Sequence, residues 1–181
     1  MRLRRRLFLG RIVTFILACF GRRVRAQALR FRPLARPVVV PLQDLAAPWR
    51  SRQFVAEGVT LSSAATPNQP IRVTGMVVRT AQEGDRPDRF AAVCLRCPHE
   101  GCDVDFVADP KTLPPEVQNE IGQPFANQVY VCPCHNSTFK AEDGGRLAGP
   151  APRGLYRFRV TNVSAAAVEI AEVEEDVLIF V

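Results

Sequence analysis

The sequence predicts an all-β domain, a sandwich or small barrel, preceded by an apolar N-terminal helix. Short segments rich in β-branched or aromatic residues recur after residue 37 and are bounded by Gly, Pro, Asn or Asp, as strands are. Beyond residue 30 no long segment repeats apolar residues with the period of a helix. The length of 181 residues suits about one domain, which excludes a large multidomain enzyme.

Eight segments are predicted to form strands, in the order Val38–Val40, Gln53–Ala56, Pro70–Arg79, Phe90–Leu95, Gln128–Val131, Leu155–Val163, Ala166–Ala171 and Asp176–Val181. One short helix is expected at Pro115–Ile121, because it begins at a proline and is followed by Gly122. Residues 28–37 combine two prolines and three arginines without helical periodicity, so they are predicted to form a linker or hinge. The folded domain is then expected over residues 38–181. The acidic run Glu172–Asp176 is expected to be a solvated strand edge or turn.

The charge is distributed unevenly along the chain. Residues 1–43 hold 11 of the 24 basic side chains and no acidic one, since the first acid is Asp44. The rest of the chain has 13 basic and 18 acidic side chains, a net charge of −5, although the whole chain is at +6. Nucleic-acid binding needs basic charge spread over a folded face, so the domain is not expected to bind DNA or RNA.

The basic N-terminal segment, residues 1–27, is predicted to be a signal or a membrane anchor. Arg5, Arg6, Phe8 and Leu9 resemble the core of a twin-arginine export signal, a route taken by proteins that are already folded. The apolar stretch 7–21 would form about 22 Å of helix against about 30 Å of hydrocarbon, so it is a marginal span. An ordinary signal peptide or an Arg-rich transit peptide remains an alternative.

Three fates of this segment are open. Retention as an anchor ranks first and requires Arg11 and Arg22 to reach toward the membrane surfaces. Cleavage after the A-Q-A sequence at 26–28 ranks second, because nearby arginines separate that site awkwardly from the apolar run. Lipidation at Cys19 ranks third, since the residues before it match a lipoprotein box only weakly.

Cysteine and histidine residues are concentrated in two short clusters, each of which follows a predicted strand. Four of the six cysteines and both histidines belong to these clusters, namely Cys97, His99 and Cys102 in the first and Cys132, Cys134 and His135 in the second. The C-x-H and C-x-x-H pairs supply two thiolates and two imidazoles. A [2Fe–2S] centre with two cysteines on one iron and two histidines on the other needs that set.

Two other uses of these residues are open at this point. Two Cys and two His also make a tetrahedral zinc site, although zinc would leave Cys102 and Cys134 without a role. Cys94 and Cys97 form a C-x-x-C pair, but redox motifs of that kind begin a helix, and here a strand is predicted before it and a turn after it. A buried strand position is the preferred interpretation of Cys94.

The two clusters resemble those of Rieske iron–sulfur proteins, specifically the disulfide-bearing type found in quinol-oxidising cytochrome bc complexes. The family pattern is C-T-H-x-G-C followed by C-P-C-H-G-S, and this chain has C-P-H-E-G-C and C-P-C-H-N-S. The resemblance extends over about residues 38–181 and implies an antiparallel fold with a cluster-binding loop subdomain at about 94–153. It implies a [2Fe–2S] cofactor with Cys97, His99, Cys132 and His135 as the metal ligands.

The resemblance also gives roles to residues beside the ligands. Cys102 and Cys134 occupy the positions of a disulfide that joins the two loops. Ser137 stands where the family's serine donates a hydrogen bond to a cluster sulfur. The G-P-A-P sequence at 149–152 resembles the proline loop that covers the cluster.

Four positions depart from the family pattern. Phe139 stands where many high-potential members have a tyrosine whose hydroxyl bonds a ligand sulfur. Glu100 replaces an apolar residue that is common at the exposed tip. An insertion at about 106–127 lengthens the gap between the two motifs, and Asn136 replaces a glycine, a mild change because Asn tolerates left-handed backbone.

The function implied by the resemblance is electron transfer from quinol to a c-type cytochrome, in a complex with a cytochrome b subunit. His99 and His135 would be the catalytic residues, because a surface imidazole can accept a hydrogen bond and then a proton from quinol. Phe139 and Glu100 both favour a lower potential, which suits a quinol such as menaquinol. The expected location is the bacterial cytoplasmic membrane, with the N-terminus in the cytoplasm and the domain on the periplasmic side.

Other proteins could use the same centre. A small Rieske subunit resembling that of arsenite oxidase is the main alternative, since it is also exported by the twin-arginine route. The soluble Rieske ferredoxins of oxygenases fit poorly, because they lack both the leader and the cysteine bridge. A structural domain without redox activity is the remaining alternative.

Overall fold

A computed structural model describes residues 29–60, 70–80 and 83–175, with the backbone alone at Thr60. The predicted leader 1–27 and the predicted last strand Asp176–Val181 lie outside the described residues. Within the described part of the chain, no helix is long and apolar enough to cross a membrane.

The strands form two antiparallel sheets. The larger sheet contains β1 (Phe31–Pro41), β2 (Ser51–Thr60), β3 (Pro70–Arg79), β4 (Phe90–Cys94), β9 (Arg157–Val163) and β10 (Ala167–Glu174), in the order β1-β10-β9-β4-β3-β2. The smaller sheet contains β5 (Asp105–Val107), β6 (Val129–Val131), β7 (Thr138–Lys140) and β8 (Arg146–Ala148), in the order β5-β6-β7-β8. The described elements also include helix α1 (Pro115–Ile121) and 3-10 turns at Leu42–Leu45, Pro87–Arg89 and Pro110–Thr112.

The six-stranded sheet curls until its two edge strands approach each other. A Cβ built at Gly58 of β2 would lie 2.8 Å from the Cβ of Ala35 in β1, so glycine is needed for that approach. Inside the curl, the rings of Phe54 and Phe158 meet edge to face with their centroids 5.1 Å apart. A barrel-like sheet around one apolar core follows, and the predicted all-β class is confirmed.

A second apolar layer lies against the smaller sheet, and the candidate cysteine ligands belong to it. Its buried members include Val93 of β4 together with Tyr130 and Phe139 from the smaller sheet. A third, small apolar cluster, built on Leu113, Val117 and Val129, joins the insertion to the smaller sheet. The insertion therefore has packing of its own and is not a loose loop.

The structure corrects the predicted linker, and it also lengthens the strand predicted at Gln53–Ala56 to Ser51–Thr60 and the strand predicted at Ala166–Ala171 to Ala167–Glu174. Strand β1 begins at Phe31, which pairs with Glu174 of β10, so residues 31–37 are part of the sheet and not a linker. A change of register between Pro33 and Val38 interrupts the pairing and accommodates the irregular sequence there. The sequence predicted only Val38–Val40 of this strand, because Pro33 and Pro37 concealed its first part; proline is tolerated only at edges and bulges, and β1 is an edge.

Other predicted elements have mixed outcomes. The helix at Pro115–Ile121 and the strand at Pro70–Arg79 are confirmed with the predicted bounds. Gly122 ends the helix in the left-handed conformation, with φ 71°. The sequence did not predict the three-residue strands β5, β7 and β8, although it predicted β6, which is equally short, within Gln128–Val131.

Candidate metal centre

Two loops with the same backbone pattern form the candidate site, and each is held by the sheet next to it. In the first loop, the Cys97 amide donates to Cys102 O at 2.8 Å, and the Gly101 amide donates to Cys97 O at 2.9 Å. In the second, the Cys132 amide donates to Ser137 O at 2.8 Å, and the Asn136 amide donates to Cys132 O at 2.9 Å. Each loop therefore folds back on its first cysteine.

The fifth residue of each loop has a positive φ, which the tight turn requires. Gly101 has φ 76° and Asn136 has φ 56°. Asparagine is one of the few residues other than glycine that adopt this left-handed conformation at modest cost. The replacement of the family's glycine by Asn136 therefore leaves the loop geometry intact.

A disulfide joins the two loops. Cys102 and Cys134 are bonded, with their Cα atoms 6.6 Å apart and a sequence separation of 32. The bridge implied by the family resemblance is confirmed. It holds together two loops whose sequences are separated by the insertion.

The thiols of Cys97 and Cys132 form a buried pair. Both cysteines are free and about 1% exposed, and their sulfur atoms interact with each other. Burial raises the pKa of the Cys97 thiol to about 11, and hydrogen bonds from the His99 amide and the Ser137 hydroxyl oppose part of that rise. Metal binding at this pair therefore releases protons, since the bound form is the thiolate.

The imidazoles of His99 and His135 form the second pair of candidate ligands. Their ring centroids lie 4.8 Å apart with the planes near perpendicular. His99 Nδ1 is buried and has no hydrogen-bond partner among the described residues, whereas the side chains of His99 and His135 as wholes are 27% and 46% exposed. A buried nitrogen without a partner on a ring that reaches solvent fits a metal ligand with a free outer face.

The donor set fits a mixed iron–sulfur cluster. Two buried thiols and two partly exposed imidazoles are the ligands that such a cluster needs, and all four belong to the two loops that the disulfide joins. Cys94 lies apart from them at the end of β4, where burial raises the pKa of its thiol to about 12. No helix begins at Cys94 or Cys97 in the described structure, so the thioredoxin-like alternative is wrong.

Glu100 adds a carboxylate to the exposed face of the imidazole pair. Its Oε1 lies 3.9 Å from His99 Nε2, and its Oε2 lies 3.8 Å from His135 Nδ1. The side chain is 60% exposed, so water screens its charge in part. The exposed tip of the site is therefore anionic where the family usually has an apolar residue.

The proline loop, residues 149–152, packs directly on the second loop of the site. The Ala151 amide donates to Ser137 Oγ at 3.0 Å, and both residues are fully buried. A Cβ at Gly149, which has φ 85°, would overlap Ser137 Cα and lie 2.8 Å from Ser137 N. Because Ser137 Oγ accepts from Ala151, its own hydrogen remains available for a sulfur.

The chain matches a known protein family. Residues 55–162 match the Rieske [2Fe-2S] domain, which is more than half of the chain, and the protein belongs to that family. Members of this family bind a [2Fe-2S] cluster and transfer electrons, so the zinc alternative is set aside. A comparison with curated proteins finds no match.

The insertion carries an open cavity of about 660 Å³ that the sequence did not predict. Its lining comes from Pro110 to Phe125, including Leu113, Ile121 and Phe125. None of the lining residues belongs to the two ligand loops. The cavity is therefore separate from the candidate metal centre.

Proposed function

We propose that this chain is the Rieske subunit of a membrane quinol:cytochrome c oxidoreductase. The observation that carries the proposal is a pair of imidazoles that reach solvent beside the disulfide Cys102–Cys134. A quinol donor needs a hydrogen-bond acceptor at the surface, and a protein that only passes electrons does not. The disulfide is the feature that separates this type from the soluble Rieske ferredoxins.

The chain's own residues would bind the quinol and take its proton. The bound cluster supplies the chemistry of accepting one electron. His99 or His135 would present its outer nitrogen to a quinol hydroxyl, accept a hydrogen bond there, and hold the proton as the electron leaves the quinol. Cys97, Cys132 and the proline loop would keep water away from the other side of the site, since the two cysteines and Ala151 of that loop are buried.

Copurification is the experiment that tests this proposal. A chain tagged at its C-terminus, extracted in mild detergent, should carry haem b and haem c and should support quinol-dependent reduction of a c-type cytochrome. Mock extraction from cells with the untagged chain is the control. Copurification of a molybdenum subunit without haem b would overturn the proposal and would indicate the arsenite-oxidase-like alternative.

We also propose that the leader exports the folded protein and stays as its membrane anchor. Iron–sulfur clusters are assembled in the cytoplasm, whereas the proposed partners meet the domain outside, so folding would precede transport. The linker between the anchor and the domain would end before Phe31, where β1 begins. Replacing Arg5 and Arg6 by Lys should leave cluster-loaded protein in the cytoplasm. A mature N-terminus at Leu29 would contradict retention.

A further inference from the structure

A buried carboxylate lies at the end of β10, where the sequence predicts a solvated edge. Glu174 is 3% exposed. Its Oε2 accepts a hydrogen bond from the Arg157 amide at 3.1 Å, and its Oε1 accepts from the guanidinium of Arg153. Because a buried charge is costly unless it is paired, this carboxylate depends on Arg153.

Arg153 is the residue that follows the proline loop. Its guanidinium lies over the ring of Tyr156, 4.3 Å from the centroid, as well as against Glu174. Tyr156 is buried in the core of the six-stranded sheet. Arg153 is therefore held on two sides by the larger sheet, and its backbone holds the end of the proline loop.

The other end of this chain of contacts is Ser137. The proline loop reaches Ser137 through the Ala151 amide, and Gly149 lies too close to Ser137 to admit a Cβ. The Ser137 carbonyl in turn accepts a hydrogen bond from the amide of the ligand Cys132 at 2.8 Å, and its hydroxyl opposes the rise in the pKa of the Cys97 thiol. A continuous series of contacts thus runs from Glu174 through Arg153 and the proline loop to the ligand thiol.

We propose that Glu174 is a positioning residue for the iron–sulfur site. By holding Arg153, it keeps the proline loop seated on Ser137, so that the serine hydroxyl stays in position to donate to sulfur. The inference depends on the cluster of the Rieske family and not on the identity of the electron donor. A hydrogen bond to sulfur stabilises the reduced, more negative cluster, so a displaced loop lowers the midpoint potential.

The matched control is a neighbouring ion pair, between β9 and the same strand β10 that carries Glu174. Arg159 Nη1 donates to Glu172 Oε2 at 2.7 Å, and these side chains are 50% and 31% exposed. Voltammetry of the holo-domain should show a lower potential in Glu174→Gln and an unchanged potential in Glu172→Gln. In a Ser137→Ala background, Glu174→Gln should cause no additional shift, because the effect is transmitted through that hydroxyl.

Two results would overturn the proposal. One is a potential unchanged by Glu174→Gln, and the other is an equal shift in the presence and absence of the Ser137 hydroxyl. If the single variant fails to fold, the double variant Arg153→Gln with Glu174→Gln removes both charges and leaves none unpaired. That variant should show the same lowered midpoint potential and faster amide hydrogen exchange at Ala151. A midpoint potential and an exchange rate equal to those of the wild type would also exclude a positioning role.

Discussion

Phe139 lies directly opposite Tyr130 in the pairing of β6 with β7, and neither ring is exposed. The Tyr130 hydroxyl is buried and has no hydrogen-bond partner among the described residues, so it bonds neither Cys97 nor Cys132. Tyr130 is the only tyrosine of the buried layer that contains those two cysteines. Among the described residues, the site therefore has the Ser137 hydroxyl but no phenol hydroxyl as a donor to sulfur.

Phe139→Tyr should raise the midpoint potential. A new hydrogen bond that stabilises the reduced cluster by about 1 kcal/mol more than the oxidised one raises a one-electron potential by about 40 mV. Voltammetry measures the change, and the wild type should lie below the top of the range of roughly −150 to +300 mV for Rieske centres. Phe106→Tyr is the control, because Phe106 is the other register partner of Tyr130. If the introduced phenol hydroxyl bonds a ligand sulfur and the potential does not rise, the missing phenol is not what lowers the potential.

Glu100→Gln should also raise the potential. The carboxylate lies within 4 Å of both imidazoles, and its negative charge opposes the arrival of an electron. Coulomb's law with partial screening gives about 1 kcal/mol, or about 40 mV, and the effect should shrink in high salt. Asp103→Asn is the control, because this exposed acid is paired with Arg96 at 3.2 Å. Equal shifts in the two variants would mean that proximity to the imidazoles is unimportant.

Removal of the disulfide should destabilise the domain. The bridge closes a loop with a sequence separation of 32, for which the loop-entropy relation gives about 4 kcal/mol. Replacing Cys102 and Cys134 by Ser should lower the free energy of unfolding by roughly that amount and speed cluster loss in urea. Cys94→Ala, which removes a buried sulfur without breaking a bridge, is the control. Non-reducing peptide mapping checks the bond itself, and free thiols at both positions in oxidised holoprotein would contradict it.

Gly149→Ala should accelerate cluster loss and lower the potential, to an extent that backbone strain alone does not explain. Gly149 has φ 85° and no room for a Cβ beside Ser137, whereas Gly84 has φ 97° with nothing within 4 Å of its Cβ position. Both substitutions incur the strain of a left-handed alanine, about 1–2 kcal/mol. Only Gly149→Ala should accelerate cluster loss and lower the potential. If Gly84→Ala had the same effects, contact with Ser137 would be irrelevant to them.

The candidate site could be predicted from the sequence because its chemistry is carried by a few residue types at short spacing. One residue separates Cys97 from His99 and two separate Cys132 from His135, so each pair is local and only the meeting of the two loops is not. Helix α1 was also predictable, since its start and stop signals are local. The replacement of glycine by Asn136 could be judged from backbone preference alone.

The features that the sequence did not predict depend on contacts between residues that are far apart in the chain. The extent of β1 depends on its pairing with β10, a strand near the other end of the chain, and its prolines conceal it. Glu174 looks like part of a solvated acidic run, and only its distant partner Arg153 reveals that it is buried. The closeness of Glu100 to both imidazoles required the second loop, which the sequence places far from the first.

The prolines of β1 also have a consequence for how copies of this protein behave toward one another. Strand β1 approaches β2 at Ala35, but among the described residues it forms a ladder with β10 alone, so its other edge offers unpaired amides to an incoming strand. Val39 of this edge is 64% exposed, which by itself would invite aggregation. Proline 37 and proline 41 stand on either side of that valine and have no amide hydrogen to offer. A strand that paired with β1 would therefore lack two backbone hydrogen bonds, one on either side of the exposed Val39. We expect the folded domain to remain monodisperse at high protein concentration. The double variant Pro37→Val and Pro41→Val should aggregate at that concentration.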